Sequence, residues 1–457
     1  MDREYIYHSH TRALCSKCGN LIDGKIIYNQ NGVYILKNCL VCGEHSEILE
    51  EDYKYHLSKA KFDKYGTISS VQTAYREGCP YDCGLCPSHD QHTCIGIIEI
   101  TKRCNLSCEM CFAKSGEGND LSLEQIEKMM DFYMEAENGK AEILQISGGE
   151  PTLHSDIIKI IEMAKIKGFK YVMLNTNGIR IAEDEDFVKQ LSAFKGGFEV
   201  YLQFDGLNDY VYEKLRHEKL AEIKKKAIDN LSKFCIPTTL VATIENDVND
   251  KYIGEILVYG MDLKCVRGVN FQPISYYGLV APGPNRITLS GVLNRIEAQT
   301  NKMIMTSDFI PLPCNVERVA ITYLFKNQKG FYPLTRDRDL SEFKDSIGNT
   351  FVFTVEDTLK NFNEDSKIFN VCKCCDFIND IKKHLPKNFL LFSKQEKMEF
   401  VDENTFRISV SSFVDKYNFD MKSIQKECVH IITPDLKRIP FSAYNIMHRE
   451  KYDKYYI

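Results

Sequence analysis

The chain lacks any run of 18 or more apolar residues, so no membrane-spanning helix is expected. Its first ten residues, MDREYIYHSH, lack the apolar stretch of a secretion signal, and a cytoplasmic location is expected. It lacks a basic excess. With 58 Lys and Arg against 64 Asp and Glu the net charge is −6, so no electrostatic field argues for nucleic acid. It also lacks an internal repeat, a coiled coil and a low-complexity tract. What remains is 457 residues, 44% hydrophobic and 27% charged, enough for two or three globular domains with a large core. Peripheral contact with a membrane stays open.

Cysteine is what the chain has in abundance. Eighteen cysteines without a secretion signal point to metal binding, because clustered thiols in a reducing compartment bind metal more often than they pair. Eleven of the eighteen lie at or before position 111, in compact groups. Cys235 and Cys265 stand alone and fit plain core packing.

Residues 1–55 read as a small module. Cys15-x2-Cys18 and Cys39-x2-Cys42 flank alternating apolar residues (Ile26, Tyr28, Val33, Ile35), and each pair is followed by glycine, Gly19 or Gly43. The glycine permits a tight turn whose N–H groups face the sulfurs. Four thiolates leave no open position, so a structural zinc or a single rubredoxin-like iron is expected. Residues 56–96 carry a second group, Cys79, Cys83 and Cys86 at C-x3-C-x2-C spacing, amid the turn formers Gly78, Pro80, Gly84 and Pro87. Cys94 follows and is expected to close this group as an auxiliary [4Fe-4S] cluster.

The same spacing recurs at Cys104, Cys108 and Cys111, with two differences. An apolar strand (Ile97, Ile98, Ile100) leads into it, and no fourth cysteine lies beside it. Three thiolates hold three corners of a four-iron cluster and leave the last iron open to a ligand. From 97 to 295, six strands (97–100, 142–146, 171–175, 199–204, 239–244, 268–272) are expected to alternate with helices. Ser122 and Gln125 form a capping box ahead of the stripe Ile126, Met129, Met130, Tyr133, and Ile157, Ile160, Ile161, Ala164 repeat that stripe. The alternation supports a parallel α/β barrel or partial barrel, with ligands at the carboxyl ends of the strands. The Cys104 triplet occupies such an end. So do Ser147-Gly148-Gly149-Glu150-Pro151, then Asn175 and Asn177, and then Gln203 and Asp205. Asn177-Gly178 reads equally well as a capped turn. The Lys224–Lys226 run reads as a solvated helix face. Residues 296–457 are expected to form a C-terminal α+β domain with strand-like runs at 319–325, 350–355 and 405–410. Cys314, Cys372, Cys374, Cys375 and Cys428 there are candidates for a further cluster, with Cys314, Cys375 and Cys428 as the ligands expected first.

The Cys104 triplet, the strand before it and Phe112 after it resemble the signature of the radical S-adenosylmethionine (SAM) superfamily. The resemblance implies a (β/α)6 partial barrel and a SAM-binding [4Fe-4S] cluster. It implies reductive cleavage of SAM to a 5′-deoxyadenosyl radical that acts on an unactivated carbon, with the electron from a donor such as ferredoxin or flavodoxin. It implies that the backbone at Gly148, Gly149 and Glu150 binds the SAM amino group. Asn175, Asn177, Gln203 and Asp205 suit its ribose and methionine parts, and Phe112 its adenine, with Ile244 and Phe271-Gln272 as weaker adenine contacts.

Three further stretches carry a narrower resemblance. They are Gly78 to Cys86 followed by Ser88-His-Asp-Gln-His-Thr-Cys94; Asp415 to Asp420; and Glu427-Cys428-Val-His430 with Pro434-Asp435 and Ile439 to Asn445. They are similar to archaeal tetraether lipid synthases and their bacterial relatives, some described as methanopterin-precursor methylases. That resemblance implies several iron–sulfur clusters, a mononuclear metal, and C–C bond formation between lipid chains. Glu427 and Ser442 depart from it, since each stands where the pattern has cysteine. The leading expectation is a radical enzyme acting on a lipid-like or other unactivated carbon. Radical methylation of a pterin-like small molecule and peptide maturation are the alternatives, and a zinc-binding interaction protein is the non-enzymatic one.

Overall fold

The computed structural model describes residues 4–68, 70–113, 115–277, 282, 286–327, 330–336, 338–344, 351, 392, 393, 396, 400 and 403–456. The candidates Cys372, Cys374 and Cys375, and all of the 350–355 run but residue 351, lie outside the described residues.

The N-terminal strands β1 (Ile6–Leu14), β2 (Leu21–Asn29), β3 (Gly32–Cys39) and β4 (Gly43–Glu50) form an antiparallel meander in that order. Ile26, Val33 and Ile35 are buried in it. Gly19 and Gly43 adopt φ of 75° and 79°, the left-handed turns expected after each cysteine pair. Helix α1 (Tyr53–Lys59) follows, capped by Asp52, which accepts from the N–H groups of Lys54 and Tyr55. Lys59 is buried between Glu50 (3.3 Å) and Glu317 (2.6 Å), which ties the meander to the distant C-terminal stretch.

Six parallel strands follow: β5 (Ile95–Glu99), β6 (Ile143–Ser147), β7 (Tyr171–Thr176), β8 (Phe198–Gln203), β9 (Thr238–Ile244) and β10 (Val266–Pro273). They lie side by side in chain order, within one or two residues of the expected limits. Between them run α2 (Leu123–Ala136), α3 (Ile157–Ile166), α4 (Ile179–Glu183), α5 (Glu185–Leu191), α6 (Asp209–Arg216), α7 (Ala221–Lys233) and α8 (Ile253–Asp262). The capping box forms: Gln125 N donates to Ser122 Oγ at 3.2 Å and Ser122 N to Gln125 Oε1 at 2.8 Å. The stripes on α2 and α3 are buried against the strands in one large core. This is the expected partial barrel of six β/α units, with the four-cysteine module ahead of it.

The stretch expected as a C-terminal domain is built onto the same sheet. After α9 (Leu289–Gln299) come β11 (Ile310–Pro311), β12 (Val319–Asn327), β13 (Gly330–Pro333) and β14 (Thr405–Ser411). Strand β14 pairs parallel to β10, and β12 runs antiparallel outside it. At the other edge, α10 (Met421–Gln425) leads to β15 (Val429–Ile432), parallel to β5, and then to β16 (Arg438–Pro440). The barrel sheet therefore has C-terminal strands on both flanks. No helix among the described residues is long and apolar enough to cross a membrane.

Candidate functional site

Cys104, Cys108 and Cys111 lie on the loop after β5, at the carboxyl end of the parallel strands, and line a cavity of about 1420 Å³. Small-molecule pockets commonly span about 300–1,000 Å³, so this one has room for SAM and a second molecule. Cys104 Sγ receives the Leu106 N–H at 3.5 Å, and Cys111 Sγ lies 3.3 Å from Ser115 Oγ. Burial pushes the Cys104 thiol up to about 11 and raises Cys108 as well. Their thiolates therefore need a metal to displace the protons. Among the described residues, no further Cys, His, Asp or Glu gathers with them into a closed ligand group. Three soft donors on one loop, facing a cavity, fit a four-iron cluster with one open iron.

The loop after β6 packs directly onto the cysteine loop. Gly149 N donates to Thr101 O at 2.8 Å and Glu150 N to Arg103 O at 2.7 Å. A Cβ at Gly149 would sit 2.2 Å from Arg103 O, and one at Gly148 2.3 Å from Thr101 O, so only glycine allows this approach. The Glu150 side chain is buried at the cavity wall and held by four hydrogen bonds. Its Oε1 accepts from Thr152 N (3.1 Å), Thr152 Oγ1 (2.6 Å) and Thr176 Oγ1 (2.8 Å), and its Oε2 from Asn177 N (2.7 Å). One buried carboxylate thus braces the ends of two strands.

Asn175, Asn177 and Gln203 line the cavity as expected. Asn175 Nδ2 reaches Ser147 Oγ at 3.3 Å, and Asn177 Nδ2 reaches Asn105 Oδ1 at 2.7 Å. Asn177 Oδ1 also accepts from Ile179 N at 3.0 Å, which is the capped turn expected of Asn177-Gly178. Phe112 lines the cavity edge-on to Phe441, with ring centroids 5.0 Å apart, and to Tyr277 at 6.5 Å. Of the weaker candidates, Gln272 lines the cavity, whereas Ile244 and Phe271 are wholly buried in the core.

Asp205 requires a correction. It is completely buried and lies behind the cavity wall, where Arg216 Nε (2.8 Å) and Nη2 (3.0 Å), Thr243 N (3.0 Å) and Gln203 Nε2 (2.9 Å) all donate to it. Its part is to position Arg216, which lines the cavity beside Cys108. Lys224 requires another. Lys225 and Lys226 are solvated as expected, but Lys224 is fully buried, donating to Asn177 O and to Gln203 Oε1 (3.3 Å). Burial lowers its ammonium to about 8. Arg216 and Lys224 escaped the sequence reading because each is a cation on an otherwise amphipathic helix. Only the tertiary fold aims it at a strand end.

The thiols of Cys15, Cys18, Cys39 and Cys42 all lie within 4.8 Å of one another. Cys18 and Cys39 Sγ are 3.7 Å apart, against about 3.8 Å for the edge of a tetrahedron with Zn–S bonds near 2.3 Å. Burial works against the Cys15 thiolate, but the N–H groups of Cys18 and Lys17 outweigh it and hold it at about 6. Four soft donors at this spacing fit one tetrahedral ion.

Cys94 is the main correction. It does not close the Cys79 group; its sulfur lies within 4.8 Å of those of Cys314 and Cys428, and all three are buried. The reason is strand pairing. Cys94 and Cys428 immediately precede β5 and β15, and the parallel pairing of those strands sets the two side by side, with Cys94 N donating to Cys428 O at 2.8 Å. Two of the expected C-terminal ligands, Cys314 and Cys428, are thereby brought together. Cys79, Cys83 and Cys86 meet at a separate small cavity. Glu427 and Ser442 bond each other, Ser442 Oγ donating to Oε1 at 2.7 Å and Ser442 N to Oε2 at 2.9 Å. Burial pushes Glu427 up to about 7. Cys265 is buried 3.0 Å from Ser232 Oγ, but Cys235 is exposed rather than packed in the core.

Comparisons with known proteins agree with this geometry. Residues 98–259 match the model of the radical SAM superfamily, and residues 7–51 match the HMPTM N-terminal zinc ribbon domain. The 7,8-dihydro-6-hydroxymethylpterin dimethyltransferase of Methanocaldococcus jannaschii is 32% identical, over 97% of this chain and 94% of its own length. The mycofactocin maturase MftC of Mycolicibacterium smegmatis is 29% identical over 44% of this chain and 50% of its own. A probable GTP 3′,8-cyclase of Methanocaldococcus jannaschii is 27% identical over 42% of this chain and 64% of its own. None of the three carries a lipid-coupling name, and the lipid reading gains nothing from them. A match to the superfamily model across the barrel, joined to a relative spanning nearly the whole length, places the protein: the chain belongs to the radical SAM superfamily and is an enzyme of it.

Proposed function

We propose that the chain is a radical SAM methyltransferase acting on a pterin-like small molecule. The observation that carries this reading is the polar wall inside the cavity, on a chain akin over its length to a pterin dimethyltransferase. Arg407 Nη2 donates to Glu199 Oε1 (3.1 Å) and Thr239 Oγ1 (2.8 Å). Asn270 Oδ1 accepts from Ser409 Oγ (2.8 Å) and Ser411 Oγ (3.1 Å), while its amide donates to Tyr201 Oη. Glu199 lies four residues before Gln203 on β8, about 13 Å from the strand end at the rise of an extended strand. A flat heterocycle with hydrogen-bonding edges fits this wall and presents its far side to the SAM end.

Cys104, Cys108 and Cys111 hold the cluster. Gly148, Gly149 and Glu150 offer backbone to the SAM amino group, and Asn175, Asn177 and Gln203 face its polar parts. When bound, cluster and SAM supply a radical able to take hydrogen from carbon, with the electron from a ferredoxin or flavodoxin. Arg216 sets a fixed positive charge beside Cys108, and Phe112, Phe413 and Phe441 keep water from that end. The four-cysteine module serves as a structural zinc or iron site, and Cys94, Cys314 and Cys428 hold a further metal centre.

The test is anaerobic turnover of the reconstituted protein with SAM, reductant and a dihydropterin, followed by mass spectrometry. Methylated pterin with 5′-deoxyadenosine supports the reading. An unchanged pterin, with coupled chains in the lipids of an expressing host, overturns it.

A further inference from the structure

With Cys94 committed elsewhere, the Cys79, Cys83 and Cys86 group is short of one ligand. A candidate lies in the same turn. The backbone N–H of His89 donates to Cys86 O at 3.0 Å. His89 lines the small cavity together with those three cysteines, and the other lining residues are the apolar Leu85, Ile424 and Pro440. His89 is buried.

Hydrogen bonding fixes the tautomer of this ring. Nε2 lies 2.9 Å from the carbonyl oxygen of Glu427. A carbonyl only accepts, so Nε2 carries the proton. His430 Nε2, 3.1 Å from the same nitrogen, is then an acceptor, and His430 Nδ1 donates to Thr93 Oγ1 at 2.9 Å. In neutral His89 the proton on Nε2 leaves Nδ1 with a free lone pair, and no hydrogen bond among the described residues engages it. One ring N–H on a backbone carbonyl and the other nitrogen left open is how metal-ligating histidines are held. The rival donor is the Glu427 carboxylate, but it is bound to Ser442 and lines the large cavity instead.

We propose that His89, through Nδ1, is the fourth protein ligand of an iron–sulfur cluster held by Cys79, Cys83 and Cys86. The spacing in the chain is then C-x3-C-x2-C-x2-H, within a single loop. A Cys3His set carries one negative charge fewer than four thiolates, so the cluster accepts an electron more readily, at a higher potential than an all-cysteine cluster in the same place. The ligand assignment does not depend on which substrate the enzyme methylates.

The experiment uses the full chain, purified anaerobically, with Cys104, Cys108 and Cys111 replaced by alanine to remove the SAM-site cluster. Pulsed electron paramagnetic resonance of the reduced protein should show a directly coordinated nitrogen, converted to the nitrogen-15 pattern when histidine is isotopically labelled. That reading needs no change at His89. The coupling should vanish in His89→Ala and in His89→Cys, with His89→Cys keeping its iron at a lower midpoint potential. It should persist in His92→Ala, which controls for the imidazole 3.7 Å from Cys94 Sγ. The proposal is overturned if the labelled protein shows no histidine nitrogen on any cluster, or if zinc and no iron fills the site. It is equally overturned if the coupling survives His89→Ala or is lost in His92→Ala alone.

Discussion

Cys94 and Cys428 are joined through their backbones, the N–H of one donating to the carbonyl of the other at 2.8 Å, and their thiols converge with that of Cys314. If the three hold one metal centre, then Cys94→Ser and Cys314→Ser lose the same metal complement, and the double variant loses no more than either single one. Cys79→Ser removes a different portion. Iron, zinc and sulfide analysis of the four proteins checks this, and a loss shared by Cys94→Ser and Cys79→Ser would restore the grouping expected from sequence.

The open triplet and the closed tetrad should fail differently. Cys104→Ala is expected to abolish 5′-deoxyadenosine formation while leaving the thermal midpoint near the parent value. Cys15→Ala is expected to lower the midpoint and retain SAM cleavage in the fraction that folds, because a closed structural site contributes folding free energy. Calorimetry and chromatographic assay of 5′-deoxyadenosine separate the two.

Glu150→Gln tests the brace beneath the Gly148–Glu150 loop, proposed above to bind SAM. The substituted amide keeps one acceptor oxygen and places NH2 at the other position, so it faces either the donors on Oε1, Thr176 Oγ1 among them, or the Asn177 N–H on Oε2, and at least one charge-assisted bond of about 1.5–3 kcal/mol is lost. SAM affinity should fall by about 10- to 100-fold, read by equilibrium binding to the anaerobic protein.

Arg449 and Glu99 form a buried two-pronged pair, with N–O distances of 2.8 and 3.0 Å. Arg449→Met leaves Glu99 buried and unpaired, at a cost of about 3–5 kcal/mol. Arg449→Met/Glu99→Gln should recover part of that. Urea unfolding monitored by circular dichroism measures both.

His56 gives a pH dependence. Burial, with help from Lys59, lowers its ring to about 3, against about 6.5 in an unfolded chain. Between those values the unfolded chain binds a proton that the folded one refuses, so stability rises with pH and is lost as pH falls through the window. The loss between pH 7 and 5 is about 2 kcal/mol. His56→Phe should flatten that part of the profile, and an unchanged slope would show that other groups carry the acid sensitivity.

The barrel strands were legible because each is a short apolar run ending in polar residues, and their helices carry plain stripes. The cysteine triplet was legible from the strand before it and the Gly148–Glu150 loop one unit later. The destination of Cys94 was not. It depends on β15 pairing with β5 across the whole barrel, a contact that local spacing does not encode. The 405–410 run was legible as a strand, but its place beside β10 was hidden for the same reason, as was β15 itself. Lys224 looked like an ordinary surface cation, Arg216 carried no signal in the sequence, and Asp205 was placed on the right strand end but on the wrong side of the wall.

The pairing of β15 with β5 also has a consequence for how the protein is made. Cys94 emerges from the ribosome long before Cys428, and β5 stays an open edge until the last strands have been synthesised. If Cys94, Cys314 and Cys428 hold a metal, it can be loaded only after translation has passed Cys428, whereas Cys79, Cys83 and Cys86 are available early on a single loop. Metal delivery to such a centre would follow an order set by the strand topology, and a chain that stalls before Cys428 lacks one of the three thiols and β15 beside β5.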